Sequence, residues 1–398
     1  MTSLAAAGCW PQPGAGPGNQ NHNGLESTLT ASNVGTLTEI WTAGGVLDSV
    51  YGGHVLGGTD RMNTSLPPTG SAYVTSLDAG TGALNWRHDL QEYVGTRNAA
   101  QVTAPPVVVG DQVWTGWYQL YYDGYWRCKV GMAKLDLATG ERTFTWPDGP
   151  RAFVPYGEQV AASFQPCSGT SAPLAVLDPA QPLSVLWQGT GASVSRPVLV
   201  GERLLTDGAT TLQAYAAEGC GAGECAPQWT ADLGITVEAV AAGQGDQALV
   251  LGRASGGPTE LVAVDTTDGS IAWRAVAGGT VGRLAVAGST VYVAAGDALQ
   301  AYPTAGCGAP ECLPTWEASL PTTVSASLAV AGGLVYVGTT DGAVGAYDAG
   351  GCGAASCAAV AQVDVAASPT DVVVSGGRLF VGQGRGLGAD ITAFAPAG

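Results

Sequence analysis

Three segments decide how this chain is read: LDAGTGALNW (77–86), LDLATGERTFTW (135–146) and VDTTDGSIAW (264–273). In each, an Asp is followed four residues later by Gly, and then by a short strand that ends in Trp. An Asp carboxylate can hold the backbone of such a turn, and glycine takes positive φ without steric cost. The Trp recurs along the chain. Trp41, Trp86, Trp146, Trp187, Trp229, Trp273 and Trp316 are separated by 45, 60, 41, 42, 44 and 43 residues. A strand-built period of about 43 residues is the length of one four-stranded propeller blade.

An apolar hairpin lies upstream of each turn: PVVVGDQVW (106–114), PVLVGERLL (197–205), LAVAGSTVYV (284–293), LAVAGGLVYV (328–337) and VVVSGGRLFV (372–381). Their central Gly-Asp, Gly-Glu, Gly-Ser and Gly-Gly pairs suit tight β-turns. No stretch sustains a helical period, so the fold class is all-β. The six Trp intervals give six units. A seventh runs from LAVAGGLVYVG to CAAVAQVDV, with Ala361 in the place of the Trp. The eighth begins at Ser368 and stops one strand short, while LTEIWTAGG (37–45) is a spare strand at the other end. Residues 37–43 are therefore expected to pair beside Asp390–Ala395 and close an eight-bladed β-propeller non-covalently, removing its open edges. The division is then a leader remnant and flexible tether over 1–24 and a single propeller domain over 25–398.

The Asp-turn-Trp pattern of TSLDAGTGALNW and AKLDLATGERTFTW, and the opening LTASNVGTLTEIWTA (29–43), resemble the repeat and the closing strand of pyrroloquinoline-quinone-type β-propellers. The resemblance covers about 370 residues. It implies the fold. Function is left open, because quinoprotein dehydrogenases and non-catalytic scaffold lipoproteins of bacterial envelopes share these repeat residues.

Of 398 residues, 60 are Gly, 12% are charged and 46% apolar, and the formal net charge is −17. Phosphate binding needs clustered Lys and Arg, so a nucleic-acid partner is not expected. The apolar content argues against a disordered chain, and no apolar run is long enough for a membrane-spanning helix.

Six of the nine cysteines form three G-C-G-x-x-x-C segments: Cys220/Cys225, Cys307/Cys312 and Cys352/Cys357. Each is an insertion between the third strand and the Trp strand, following Tyr215, Tyr302 and Tyr347. Paired strands bring Cβ atoms close enough for a cystine. The metal alternative needs four ligands, and the pairs lie on different blades with no His beside them. Disulfides are expected, together with the oxidising compartment they imply. Each closes a short loop, so its effect should be local, holding an inserted turn open toward solvent. Cys128 and Cys167 lie in successive units and form a further candidate bridge.

Cys9 is then the odd one out. The sequence Ala-Ala-Gly-Cys (6–9) resembles the end of a bacterial lipoprotein signal, in which the Cys is lipidated. The charged part and most of the apolar part of such a leader are missing, so the expectation is that Met1 is an internal methionine of a longer one. The alternative is an N-terminus with a free thiol.

No catalytic site is expected. Quinone chemistry would need several basic residues and an acidic calcium set. The 15 Lys and Arg are scattered, and no two cysteines are adjacent. Only His22, His54 and His88 could serve a hydrolytic triad, and Asp78, Asp136 and Asp265 read as turn stabilisers. The glycine-rich GRGLGADI (384–391) precedes no helix, so phosphate binding is weakly supported. No cofactor and no metal site are assigned.

The most individual stretch is VWTGWYQLYYDGYWRCKVG (113–131), inside the 60-residue interval. Trp114, Trp117, Tyr118, Tyr121, Tyr122, Tyr125 and Trp126 crowd into one hairpin turned at Asp123-Gly124. Strand alternation puts them on both faces, so the hairpin is the candidate contact surface. The alternative is that it folds over a neighbouring blade and buries itself. The whole reads as an exported, lipid-anchored, monomeric binding or scaffold protein of the cell envelope, at the cell surface or the periplasmic face. Its partner would be a protein or a glycan. A quinone-dependent dehydrogenase and a carbohydrate-binding module are the alternatives.

Overall fold

The computed structural model describes residues 9–397 except 64–68, 91–97, 147–148, 165–166, 168–171, 182–183, 194–195, 280–281, 326–327, 385 and 387. Eight antiparallel sheets follow one another along the chain and form a propeller ring. Blade 1 comprises Ser49–Tyr51, His54–Asn63, Thr69–Asp78 and Leu84–Asp89. Blades 2 to 7 repeat that order, from the innermost strand outward. Blade 8 takes three strands from the C-terminus, Pro369–Ser375, Arg378–Gln383 and Asp390–Pro396. Its fourth is Leu37–Gly44, which runs antiparallel to the last, from Leu37 opposite Pro396 to Gly44 opposite Asp390. The closure expected from the sequence is the one observed.

The repeat residues make the seams between blades. Every repeat Trp except Trp146 lies against the turn glycine of the next blade. A methyl group on Gly140 would come within 2.5 Å of the Trp86 indole, and one on Gly306 within 2.5 Å of Trp273. Both glycines have positive φ, so no other residue meets both demands. The indole N–H of Trp86 donates to the Leu137 carbonyl, and that of Trp273 to the Thr304 carbonyl. Asp78 and Asp136 hold these turns by accepting from Thr81 and Thr139, which keeps both carboxyls below their ordinary pKa. In the cysteine-bearing blades the turn glycine is the one before the first cysteine: Gly219 against Trp187, Gly306 against Trp273 and Gly351 against Trp316. Strand register places Ala216, Pro303 and Asp348 at the turn Asp, one residue beyond Tyr215, Tyr302 and Tyr347.

Ala361 pairs with Ala346 as Trp316 pairs with Ala301, so it does occupy the Trp position. Its size has a cause. The next turn would belong to blade 8, where the chain ends meet instead, so no turn glycine is there to receive an indole. Val34 and Leu37 line that seam with Ala361.

The cysteine segments are exposed over residues 220–224, 307–311 and 352–356, as expected of turns held toward solvent, and they also cover a neighbouring strand. Cys220–Cys225, Cys307–Cys312 and Cys352–Cys357 are disulfides, and each clipped loop lies parallel to the outer strand of the preceding blade. Gln188 pairs with Glu224, Arg274 with Glu311 and Glu317 with Ser356. The loops therefore occupy the unpaired backbone edges of blades 3, 5 and 6, groups that would otherwise template aggregation.

The expected tether is corrected over the described part of 1–24; residues 1–8 lie outside the described residues. From Trp10 the chain circles one mouth of the central channel as a belt. Trp10 pairs with Val50 of blade 1. The carbonyls of Pro11, Pro17, Gly18, Gln20 and Asn21 then accept from Val108, Leu199, Ala242, Val286 and Val330, on the inner strands of blades 2, 4, 5, 6 and 7. The Asn23 side chain donates to the Val374 carbonyl of blade 8. Side-chain amides of Asn19, Gln20 and Asn21 add bonds to inner-strand carbonyls. A Pro/Gly/Asn-rich composition reads as a flexible linker when its amides have only water to bond. Here the inner strands of blades 1, 2 and 4 to 8 supply N–H and carbonyl partners instead.

Candidate functional site

Blade 2 is longer than the repeat requires. Its inner three strands are Asn98–Val109, Gln112–Tyr122 and Trp126–Asp136, against five to seven residues for most strands of blades 4 to 8. The second and third stay in register to the tip, with Leu120 opposite Cys128 and Tyr122 opposite Trp126. The strand starts beside the belt and ends on the opposite face of the disc.

The aromatic residues divide along this hairpin. Trp114 is 1% exposed and Trp117 is 0% exposed. Trp114 packs toward blade 3, edge-on to Phe153 at 5.7 Å between ring centroids. Trp117 packs toward blade 1, in one cluster with Leu56, Val74 and Trp86. These two belong to the core, and their place in the expected contact surface is corrected. The period-2 alternation sends them to opposite faces, and near the base both faces are covered by neighbouring blades. Further out the cover ends. Tyr118 and Tyr121 are half-buried, and burial raises the Tyr118 hydroxyl pKa. Tyr122 is 43% exposed and Tyr125 77% exposed. Trp126 pairs through its backbone with Tyr122, and its side chain lies outside what is described.

The tip is fastened. Asp123 accepts from Arg127 at 2.9 Å, and the Asp123 amide donates to the Tyr125 carbonyl. Cys128 is bridged to Cys167 of blade 3, with Cα atoms 5.6 Å apart. An exposed tyrosine pair on a hairpin tip held this way loses little conformational freedom on binding.

The other candidate residues are dispersed. Cys9 is a free, half-buried thiol at the start of the belt. His54 bonds Ser76 and His88 accepts from Arg142, while His22 lies in the belt, and burial lowers the pKa of all three. Among the described residues, no three His, Cys, Asp or Glu side chains gather as metal ligands would.

Sequence reading missed the seam between blades 2 and 3. The blade 3 turn, LDPAQPLSVLW (177–187), has no glycine for Trp146 to lie against. The Pro179 carbonyl, equivalent to those that take an indole N–H elsewhere, accepts instead from Lys134 Nζ at 3.1 Å. Lys134 lies 3.8 Å from the Trp114 ring centroid and is 3% exposed. Beside it opens a cleft of about 730 Å³ whose lining includes Asp111, Glu158, Asp178 and Trp114. The missing Gly between Asp178 and Trp187 was the available signal.

Comparison with known proteins bears on this geometry. A family model described as outer membrane protein assembly factor BamB matches residues 211–305. No curated protein matches the chain. Among solved structures, BamB from Moraxella catarrhalis is similar at 15% identity and TM-score 0.59, over 90% of this chain and 99% of that one. Quinohemoprotein alcohol dehydrogenase from Comamonas testosteroni is similar at 13% identity and TM-score 0.63, over 100% of this chain and 82% of that one. The computationally designed Ika8 protein is similar at 14% identity and TM-score 0.58, over 90% and 99%. At these identities the likeness is one of fold.

Proposed function

We propose that this eight-bladed propeller of pyrroloquinoline-quinone-like repeats is a non-catalytic scaffold of the cell envelope that holds a protein partner at the tip of blade 2. The observation carrying the proposal is the pair Tyr122 and Tyr125, exposed on a hairpin that a disulfide and an ion pair immobilise. Rigid exposed tyrosines offer apolar area with a polar end at low entropic cost. The match of residues 211–305 to an outer membrane assembly factor supports an envelope location and a protein partner. Four disulfides support export.

The finer proposal is a lipid on Cys9. Trp10 is already paired with Val50, so such an anchor has no slack and sets the belt face of the disc against the bilayer. The tyrosine tip, at the far end of an 11-residue strand, then stands roughly 30 Å away, facing the soluble space. Metabolic labelling with a palmitate analogue tests this: label lost in Cys9→Ser supports it, and absence of label from the exported wild type contradicts it.

The second reading is a quinone-dependent dehydrogenase, favoured by the full-length likeness to a quinohemoprotein enzyme. Titration with calcium and the quinone, followed by absorbance, tests it directly. A glycan array on wild type and Tyr125→Ala tests carbohydrate binding at the same tip.

A further inference from the structure

Lys134 is chemically unusual in this chain. Only Lys129 and Lys134 are lysines, against 13 arginines, and both lie on the third strand of blade 2. Lys129 is half-buried on the projecting part of the hairpin. Lys134 is buried at the blade 2–3 seam, between the Trp114 ring at 3.8 Å and the Phe144 ring at 5.6 Å. Nζ donates to the Pro179 carbonyl, and Pro179 and Trp114 both line the cleft of about 730 Å³. An arginine there would stay charged, whereas a desolvated lysine can shed its proton and become a nucleophile.

We propose that Lys134 is a covalent site for small neutral aldehydes that enter through the blade 2–3 cleft. The class follows from the lining. Asp111, Glu158 and Asp178 disfavour anionic electrophiles such as acyl phosphates, and Val109, Trp114 and Leu186 in the same lining offer apolar contact to a short carbon chain. The Nζ lone pair attacks the carbonyl carbon, and a proton passes from nitrogen to the new carbinol oxygen. Water then leaves as the C=N bond forms. One amine and one aldehyde give one imine and one water, with no change of oxidation state. Asp178 lines the same cleft, and its charge opposes, without overcoming, the larger effect of burial on this amine. Burial lowers the Lys134 pKa to about 8, which leaves a usable fraction of free amine near neutral pH.

The test uses the full, oxidised chain with acetaldehyde and cyanoborohydride, which traps the imine as an ethylamine, followed by peptide mass spectrometry. Folded protein at pH 7.5 should be ethylated at Lys134 about tenfold or more faster than at Lys129, as expected for a desolvated amine. That preference should vanish in denaturant. Lys134→Arg should lose the modification and keep the rate at Lys129. Equal rates in the folded chain, or faster reaction at Lys129, would overturn the proposal. The folded-to-denatured comparison uses wild type alone, so it decides the matter even if Lys134→Arg fails to fold.

Discussion

The seam between blades 5 and 6 and the seam between blades 2 and 3 solve one packing problem in two ways. At the first, Trp273 lies on Gly306, donates to the Thr304 carbonyl and is 3% exposed, and a disulfide-clipped loop covers the strand edge outside it. At the second, the turn lacks glycine, a lysine amine takes the carbonyl and a cleft is left beside it. The first arrangement recurs, with variation in the clip, at seams whose turns carry the glycine. The second occurs beside the elongated hairpin that bears the exposed tyrosines. Where the repeat is regular the residues are committed to holding blades together. Where it is broken, side chains and space are free for something else.

The largest effect should come from the element on which both seams depend. Deleting residues 1–45 removes the belt and the closing strand, and exposes edges on blades 8 and 1. Aggregation on expression is the expected outcome, and a stable smaller monomer by size-exclusion chromatography would contradict the closure described. Next, Trp273→Ala should cost roughly 3–5 kcal/mol in denaturant unfolding, in the range for large-to-small changes at buried aromatics. Trp146→Ala should cost less, because no turn glycine receives its ring. Gly306→Ala should follow at about 1–3 kcal/mol, from its positive φ and the clash with Trp273.

Much of this fold was legible from Asp, Gly and Trp alone. The turn of LDLATG, the indole that follows it and the spare strand around Trp41 specify blade, seam and ring closure locally. The belt was not legible. Residues such as Asn19, Gln20 and Asn21 have no pattern of their own, and their partners are 221, 222 and 263 residues away. The aromatic hairpin was half legible. Alternation correctly separates Trp114 from Trp117, but whether each face is covered depends on blades 1 and 3, which periodicity within blade 2 does not encode. Lys134 was missed because a lysine on a strand ordinarily reads as solvated.

A smaller effect distinguishes the two seams by pH. The folded-state pKa of Lys134, about 8, lies below the ordinary 10.5. Between these values the unfolded chain binds more protons, so stability should rise with pH across that window. Lys134→Met should abolish that rise when melting temperature is followed from pH 8 to 10.5, and Trp273→Ala should retain it. A wild type whose melting temperature falls steadily through the window, in parallel with the Met variant, would contradict the buried-amine assignment.

The central claim is that function sits at the irregular side of the ring, on the tip of blade 2. The direct measurement is photo-crosslinking from a benzophenone amino acid at Tyr125, compared with the same group at Leu313 beside the blade 6 disulfide. Both positions are strongly exposed, at 77% and 82%. The scaffold reading predicts one discrete adduct with an envelope protein from position 125, reduced by Tyr122→Ala, and none from position 313. Equal crosslinking from both positions, or an adduct from position 313 alone, would contradict it.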